Sequence, residues 1–261
     1  MLRTLALATA LGLALCGHSR ASDACDMPMR VAISTMPGAP HADDTPLRHA
    51  TDALLPEIAR LSGIFIRYDI MPRMRAFPEL KAHHVELVPM STRDPERDRY
   101  AHLLVLGRMK AMLMLRHDAT APQSAEEVRA GKLRLVMVRD QSFGARTAAL
   151  TRELEAQGRL DRVADQRAAA DALSAHKADA IIGLPAFFAP SLAGTGLLHQ
   201  LDIVDAGIGD PVDEGVYIGN HVPASCVDRL ERVVQHLRES GYYHDLVERQ
   251  IPASQRAGLM P

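Results

Sequence analysis

The chain has 261 residues, a formal net charge of −2 with both signs interspersed, no tryptophan and only 4% aromatic residues. That charge balance argues against nucleic acid as a partner. So few rings argue against a carbohydrate site built on stacked aromatics.

In chain order, Met1-Leu-Arg3 is a short basic start, Leu5 to Cys16 an apolar run, and Ser19-Arg-Ala21 a small-x-small pattern. Together they read as a secretory signal peptide, residues 1–21, cleaved near Ala21 or, as the alternative, after Ala24. The run is too short to span a bilayer as a mature helix. Leu15 stands before Cys16 where lipid attachment wants a small residue. Cleavage leaves Cys25 and Cys226, an even pair that reads as one disulfide, with two buried thiols as the alternative. No cysteine spacing suggests zinc. About 240 residues remain, enough for one large domain or two lobes.

Residues 29–34 predict a first strand and 36–44 a loop rich in turn formers. Thr45-Pro46 opens a helix that Gly63 ends, with Leu47, Leu54, Leu55, Ile58 and Leu61 at helical spacing. Residues 64–70 alternate as a second strand, and 73–82 predict a short helix. Val85 to Met90 is a buried third strand, and at Ser91 its character changes to hydroxyls, a turn-forming Asp94-Pro95 and the cluster Arg93, Arg97 and Arg99. Hydroxyls and guanidinium groups just past a core strand suit an anionic solute, because the planar fork of Arg donates bidentately to a carboxylate. The same residues are accounted for by a solvated loop whose arginines pair with Asp94, Glu96 and Asp98.

Residues 103–115 predict two short strands joined by a turn at Gly107 to Lys110. Ser124 and Glu127 form a capping box, followed by a strand over 133–138, a polar loop at 139–144 and a helix over 147–157. A short strand near Val163, a helix over 167–176 and a buried strand over 178–183 complete a second β-α-β-α-β unit. Such alternation predicts two mainly parallel sheets flanked by helices. A strand at 215–219, helices over 225–240 and 243–250, and a loose tail of ten residues close the chain.

Four passages in this order carry a likeness. Ala76 to Pro89 is similar to a helix-and-strand passage, with Glu86 at an acidic position, and Asp94-Pro-Glu-Arg97 to a T-x-E-R element. Ser124 to Val138 is similar to the passage into a second lobe, and Lys177-Ala-Asp-Ala-Ile-Ile182 to a strand of that lobe. Over nearly the whole mature length the chain resembles the extracellular solute-binding proteins of bacterial ABC importers, polar-amino-acid type. The resemblance implies an α/β, two-lobed periplasmic-binding-protein-like (type II) fold joined by two hinge strands, closing on a ligand. Lobe 1 would be discontinuous, residues 25–113 and 207–261, and lobe 2 would be 114–206. Cys25 and Cys226 then share a lobe, which favours the disulfide.

Carried over by position, the resemblance puts Arg97 on a ligand α-carboxylate, with Met90, Ser91 and Thr92 along the strand end. Gln141, Ser142 and Phe143 fall on a loop whose backbone N–H groups cap the same carboxylate at a helix start. Arg73 and Arg75 add positive charge at the rim. Leu184 stands where an acid would hold a ligand ammonium, and the first-strand loop offers Ser34 and Pro37 in place of an acid and an aromatic lid. These departures favour a small carboxylate or other anion over an ordinary α-amino acid.

The expected partners are that small ligand and an ABC permease of the inner membrane, with the protein itself a periplasmic monomer. An accessory or sensory binding protein and a dehydratase-like enzyme on the same fold are the alternative readings. The expectation is no enzyme activity, no cofactor and no metal. His83-His84, His236 and His244 read as solvated or half-buried side chains, and Met109, Met112 and Met114 as core or hinge packing.

Overall fold

The computed structural model describes residues 25, 27–35, 45–139 and 141–260. The signal-peptide reading and the 36–44 loop with Pro37 lie outside them. A first βαβαβ unit comprises β1 (Met29–Thr35), α1 (Pro46–Ser62), β2 (Ile66–Pro72), α2 (Arg73–Lys81) and β3 (Leu87–Thr92). The first helix forms where the sequence predicts. The Thr45 side chain accepts from the Arg48 N–H, Pro46 occupies the first turn, and Gly63 ends the helix at φ 67°. β1 pairs in parallel with β2 and with β3.

Next come β4 (Ala101–Met109), β5 (Met112–Arg116), α3 (Ala125–Ala130), β6 (Leu135–Val138), α4 (Gly144–Ala156), β7 (Leu160–Val163), α5 (Gln166–Ser174) and β8 (Ala180–Gly183). The chain continues with α6 (Pro185–Gly194), β9 (Leu201–Val204), β10 (Val212–Gly219), α7 (Ala224–Glu239), α8 (Tyr242–Gln250) and β11 (Leu259–Met260).

Two sheets result, ordered β11-β4-β10-β3-β1-β2 and β7-β6-β8-β5-β9. Each has a parallel half, β2-β1-β3 or β7-β6-β8. Antiparallel strands join it where the chain crosses between sheets, β10 against β3 and β5 against β8. Hydrophobic residues fill both faces of each sheet. Leu54, Leu55, Ile58 and Leu230 lie on one side of the first sheet, and Phe77, Leu80 and Tyr217 on the other.

Three local expectations change. The predicted turn at Gly107 is strand, because Gly107 stays in the ladder opposite Glu214, and β4 runs unbroken to Met109. The chain turns at Lys110, and β4 and β5 belong to different sheets. There the Lys110 N–H donates to Gly258 O at 2.8 Å and Nζ pairs with Asp205 at 2.7 Å. The tail is also not loose. Gly258, at φ 82°, turns the chain so that Leu259 pairs with Met109, and Leu259 packs against the cores of both sheets. The third change is α6, an unanticipated helix whose Phe188 and Leu192 are buried despite Pro190 within it. The predicted bond between Cys25 and Cys226 is present, with Cα atoms 5.5 Å apart.

Glu214 of β10 is buried, receives the Tyr243 hydroxyl hydrogen bond on Oε1, and leaves Oε2 without a partner among the described residues. Burial raises its pKa from the ordinary 4.5 to about 7. The folded state therefore holds a proton that the unfolded chain releases above pH 4.5, and stability falls as pH rises from about 4.5 to about 7. The Glu214→Gln variant is expected to lack that slope in urea unfolding. At pH 8 it should exceed the parent by roughly 3 kcal/mol, at about 1.4 kcal/mol per pH unit.

Candidate binding cleft

A cavity of about 190 Å³ lies between the sheets, at the carboxyl ends of β1 and β3 on one side and of β6 and β7 on the other. Open α/β sheets place ligands in this position. Ser34, Met90, Thr92, Arg73 and Arg97 line it from the first sheet's side, and Gln141, Ser142 and Phe143 from the second. Seven of the nine residues expected at the site thus meet in one cavity.

The other two do not line it. Ser91 is fully buried, with its hydroxyl within reach of Val88 O and Pro89 O. It accepts a hydrogen bond from Arg73 Nη2 at 3.2 Å and so supports a cleft residue from behind. Arg75 points to solvent and pairs with Glu79 at 2.9 Å.

The solvated-loop alternative for 93–99 holds for part of the loop. Arg93 pairs with Asp213 at 3.1 Å and Arg99 with Glu96 at 3.0 Å, both at the surface. Arg97 turns inward, its guanidinium 3.8 Å from the Phe77 ring centroid and its Nη1 donating to Thr92 O at 3.3 Å. The turn carrying it is tied down. The buried Tyr217 hydroxyl donates to Asp98 Oδ1 at 2.7 Å and accepts from the Asp94 N–H at 2.8 Å, while Asp94 Oδ1 accepts from the Glu96 N–H. Burial and the Asp98 contact push the Tyr217 hydroxyl pKa up, so it stays a donor.

Arg73 lies against the other side of this cluster, 5.2 Å from the Phe77 centroid, with Nη1 donating to Pro89 O at 3.4 Å. The residue is half-buried, lining the cavity with its guanidinium crowded by the surrounding protein. Burial, then the charge of Arg97, pushes its pKa down to about 9. Among the described residues no carboxylate lies within ion-pair distance of it. Two guanidinium groups against one aromatic ring, one of them crowded without an acid, form a site for negative charge.

The opposite wall adds backbone donors. The Phe143 side chain makes no capping bond at the start of α4, so that helix presents uncapped N–H groups beside the cleft. Gly144 turns the chain there at φ 83°, and a Cβ would sit 2.7 Å from Val212 Cγ1 across the junction. Ser34 Oγ and Gln141 Oε1, one from each side, are buried without partners among the described residues. Thr92 Oγ1 donates to Ser142 O at 3.0 Å, linking the walls directly. Met90 adopts φ 50°, a left-handed conformation held only by its surroundings, at the strand end facing the cavity.

Among the lining residues that escaped the sequence reading, four bear on the chemistry of the site. Arg48 lines the cleft while pairing with Asp52 at 2.8 Å. Arg139 bonds Arg162 O at 3.3 Å, and Phe187 comes from the unanticipated α6. Asp165 supplies a carboxylate, but that group accepts from the Ala168 N–H at 2.8 Å as the cap of α5. Strand-to-helix junctions were the available signal for Arg139 and Asp165. Leu184 is fully buried in the core of the second sheet. No group of three or more His, Cys, Asp or Glu among the described residues is placed to hold a metal ion.

No family model matches the chain, and no curated protein matches it. Solved structures do. A histidine kinase sensor domain with similarity to periplasmic binding proteins superposes at TM-score 0.67 and 14% identity, over 90% of this chain and 98% of that one. The probable amino-acid ABC transporter extracellular-binding protein of Bacillus subtilis gives 0.63 and 15%, over 87% and 98%. An ancestral amino-acid-binding protein, described as a precursor of cyclohexadienyl dehydratase, gives 0.64 and 14%, over 86% and 95%. The chain has the two-lobed type II periplasmic-binding-protein fold. No helix among the described residues is long and apolar enough to cross a membrane.

Proposed function

We propose that the protein is a periplasmic solute-binding protein that captures a small carboxylate-bearing anion between its lobes and delivers it to an ABC permease of the inner membrane. The observation that carries this reading is the crowded Arg73 guanidinium beside Arg97, facing the uncapped start of α4. A carboxylate seated there takes the forks of the two arginines from lobe 1 (residues 25–113 and 207–261) and backbone N–H groups from lobe 2 (residues 114–206). It would thereby bridge the walls that Thr92 and Ser142 already join. A cavity of about 190 Å³ lies below the roughly 300–1,000 Å³ of drug-sized sites, which points to a small metabolite.

Thermal unfolding of the mature chain against amino acids, dicarboxylates and other small acids tests this. A ligand at about 100 times its dissociation constant adds about 2.7 kcal/mol of stability. Arg97→Ala is expected to remove the shift, because it deletes a charge-assisted bidentate contact worth roughly 1.5–3 kcal/mol. A shift untouched by that change would discard Arg97 as the anchor.

A sensory or accessory role is the second reading, favoured by the likeness to the histidine kinase sensor domain. It uses the same cleft with a different partner. Loss of ligand uptake on deletion of the protein would support import. Normal uptake with loss of a ligand-dependent response would support sensing. An enzymatic reading has less in its favour, since Asp165, the carboxylate among the described lining residues, is engaged in capping α5. Turnover of prephenate or arogenate would restore it.

A further inference from the structure

The outer edge of the first sheet is β2, paired on one side with β1 and, among the described residues, with no strand on the other. An open edge offers a row of backbone N–H and C=O groups, and proteins usually protect it with charged side chains, Pro, bulges or a covering element. This edge carries Arg67, Asp69 and Pro72, but between them it also shows exposed apolar side chains, Phe65 at 76%, Ile70 at 59% and Tyr68 at 45%.

The order of residues along it is palindromic in character. About a two-fold axis through Tyr68, antiparallel pairing with a second copy sets Ile66 opposite Ile70, Arg67 opposite Asp69 and Phe65 opposite Met71. The backbone phase is compatible. The Met29 N–H donates to Phe65 O, and the parallel register sets Met29 beside Ile66. In a parallel ladder, residues 65, 67 and 69 therefore bond to β1, while 66, 68 and 70 direct their amides outward.

Residues 66, 68 and 70 would form the hydrogen-bonded pairs of the new ladder. Their side chains would gather Ile66, Tyr68 and Ile70 of both copies on one face. On the other face Arg67 of each copy would meet Asp69 of its partner, flanked by Phe65 against Met71. Within one chain Arg67 reaches Asp69 at only 3.8 Å, with Arg67 74% exposed, so both charges are available. Pro72, which lacks an N–H, limits the ladder to these residues. A strand of one charge sign would repel its own copy; here the charges complement each other.

We propose that β2 is a self-association edge through which two copies form an isologous dimer with a sheet continuous across the two-fold axis. The partner is a second copy of this chain, not the monomeric state the sequence suggested.

Sedimentation equilibrium of the mature chain over a concentration series tests it, with circular dichroism confirming that each variant folds. The parent is expected to show a monomer–dimer equilibrium. Arg67→Asp and Asp69→Arg each place like charges opposite each other at two symmetric positions and should weaken dimerisation by about tenfold or more. An equimolar mixture of these two variants restores complementarity and should dimerise, as should the double variant with both changes. A parent that stays monomeric at its solubility limit overturns the proposal. So does a dimer that tolerates both single reversals, or single variants that fail to recover on mixing.

Discussion

Replacing Arg73 by Met is expected to make the unliganded protein more stable while abolishing ligand binding. The crowded guanidinium has its pKa pushed down to about 9 by burial and by Arg97, so the fold works against its charge at neutral pH. Below about pH 9 that opposition is fully present, and it fades as pH rises towards the range where an ordinary arginine would lose its proton. Its bonds to Pro89 O and Ser91 Oγ, at 3.4 and 3.2 Å, and the Phe77 contact offset part of it. Replacing a buried ion pair by well-packed apolar residues is neutral or stabilising by about 1–4 kcal/mol, and a charge without an acid partner has less attraction to lose, so a gain on the order of 2 kcal/mol is expected at pH 7.5. Urea unfolding with and without the ligand identified for the parent measures both effects. Arg73→Lys separates charge from shape, because it keeps the burial penalty and loses the planar fork, and should weaken binding without stabilising the protein. A destabilised Arg73→Met would instead mean that Arg73 is a structural bracket for β3. Arg75→Ala, at the surface on the same helix, should change stability by less than about 0.5 kcal/mol and leave binding alone.

The contrast between Arg73 and Arg75 shows where sequence reasoning stops. Two residues along a helix differ by about 200° in direction, so the two arginines cannot share a face. Phe77, four residues after Arg73, lies on the same face and meets its guanidinium. The spacing held that information, but which face looks into the cleft is decided by packing against β3. Ser91 misled for a similar reason, since a hydroxyl beside two cleft residues on a strand belongs to the opposite face. Elements with local signals were legible: the Thr45 cap with Gly63, the capping bond of Ser124 to the Glu127 N–H, and the buried strand at 180–183. Long-range structure was not. Gly107-Arg108 has turn chemistry, yet a ladder to residues more than a hundred positions away keeps it extended. β11 exists only because β4 supplies a partner for Leu259 and Met260.

The variant with both Cys25 and Cys226 changed to Ser is expected to lose about 5 kcal/mol of stability. The bond joins residues 201 positions apart, tying the start of the described chain to α7 and enclosing nearly the whole fold in one loop. Chain-entropy reasoning gives about 4.7 kcal/mol for a loop of 100 residues and slightly more for one twice as long. The dependence on length is logarithmic, each doubling adding about 0.6 kcal/mol. The expected loss therefore barely changes even if the second sheet stays folded when the first opens. Both cysteines are buried among Met29, Leu54, Val234 and Leu237, so two hydroxyls placed there add a polar burial cost in the same direction. The comparison that removes this extra cost is the parent with and without a thiol reductant, followed by urea unfolding at equal pH. Hydrogen exchange should show the weakening first in β1 and α7, the two elements the bond pins together. A loss below about 1 kcal/mol on full reduction would mean that residual structure already holds the ends together in the denatured chain, and loop entropy would then not be what the bond contributes.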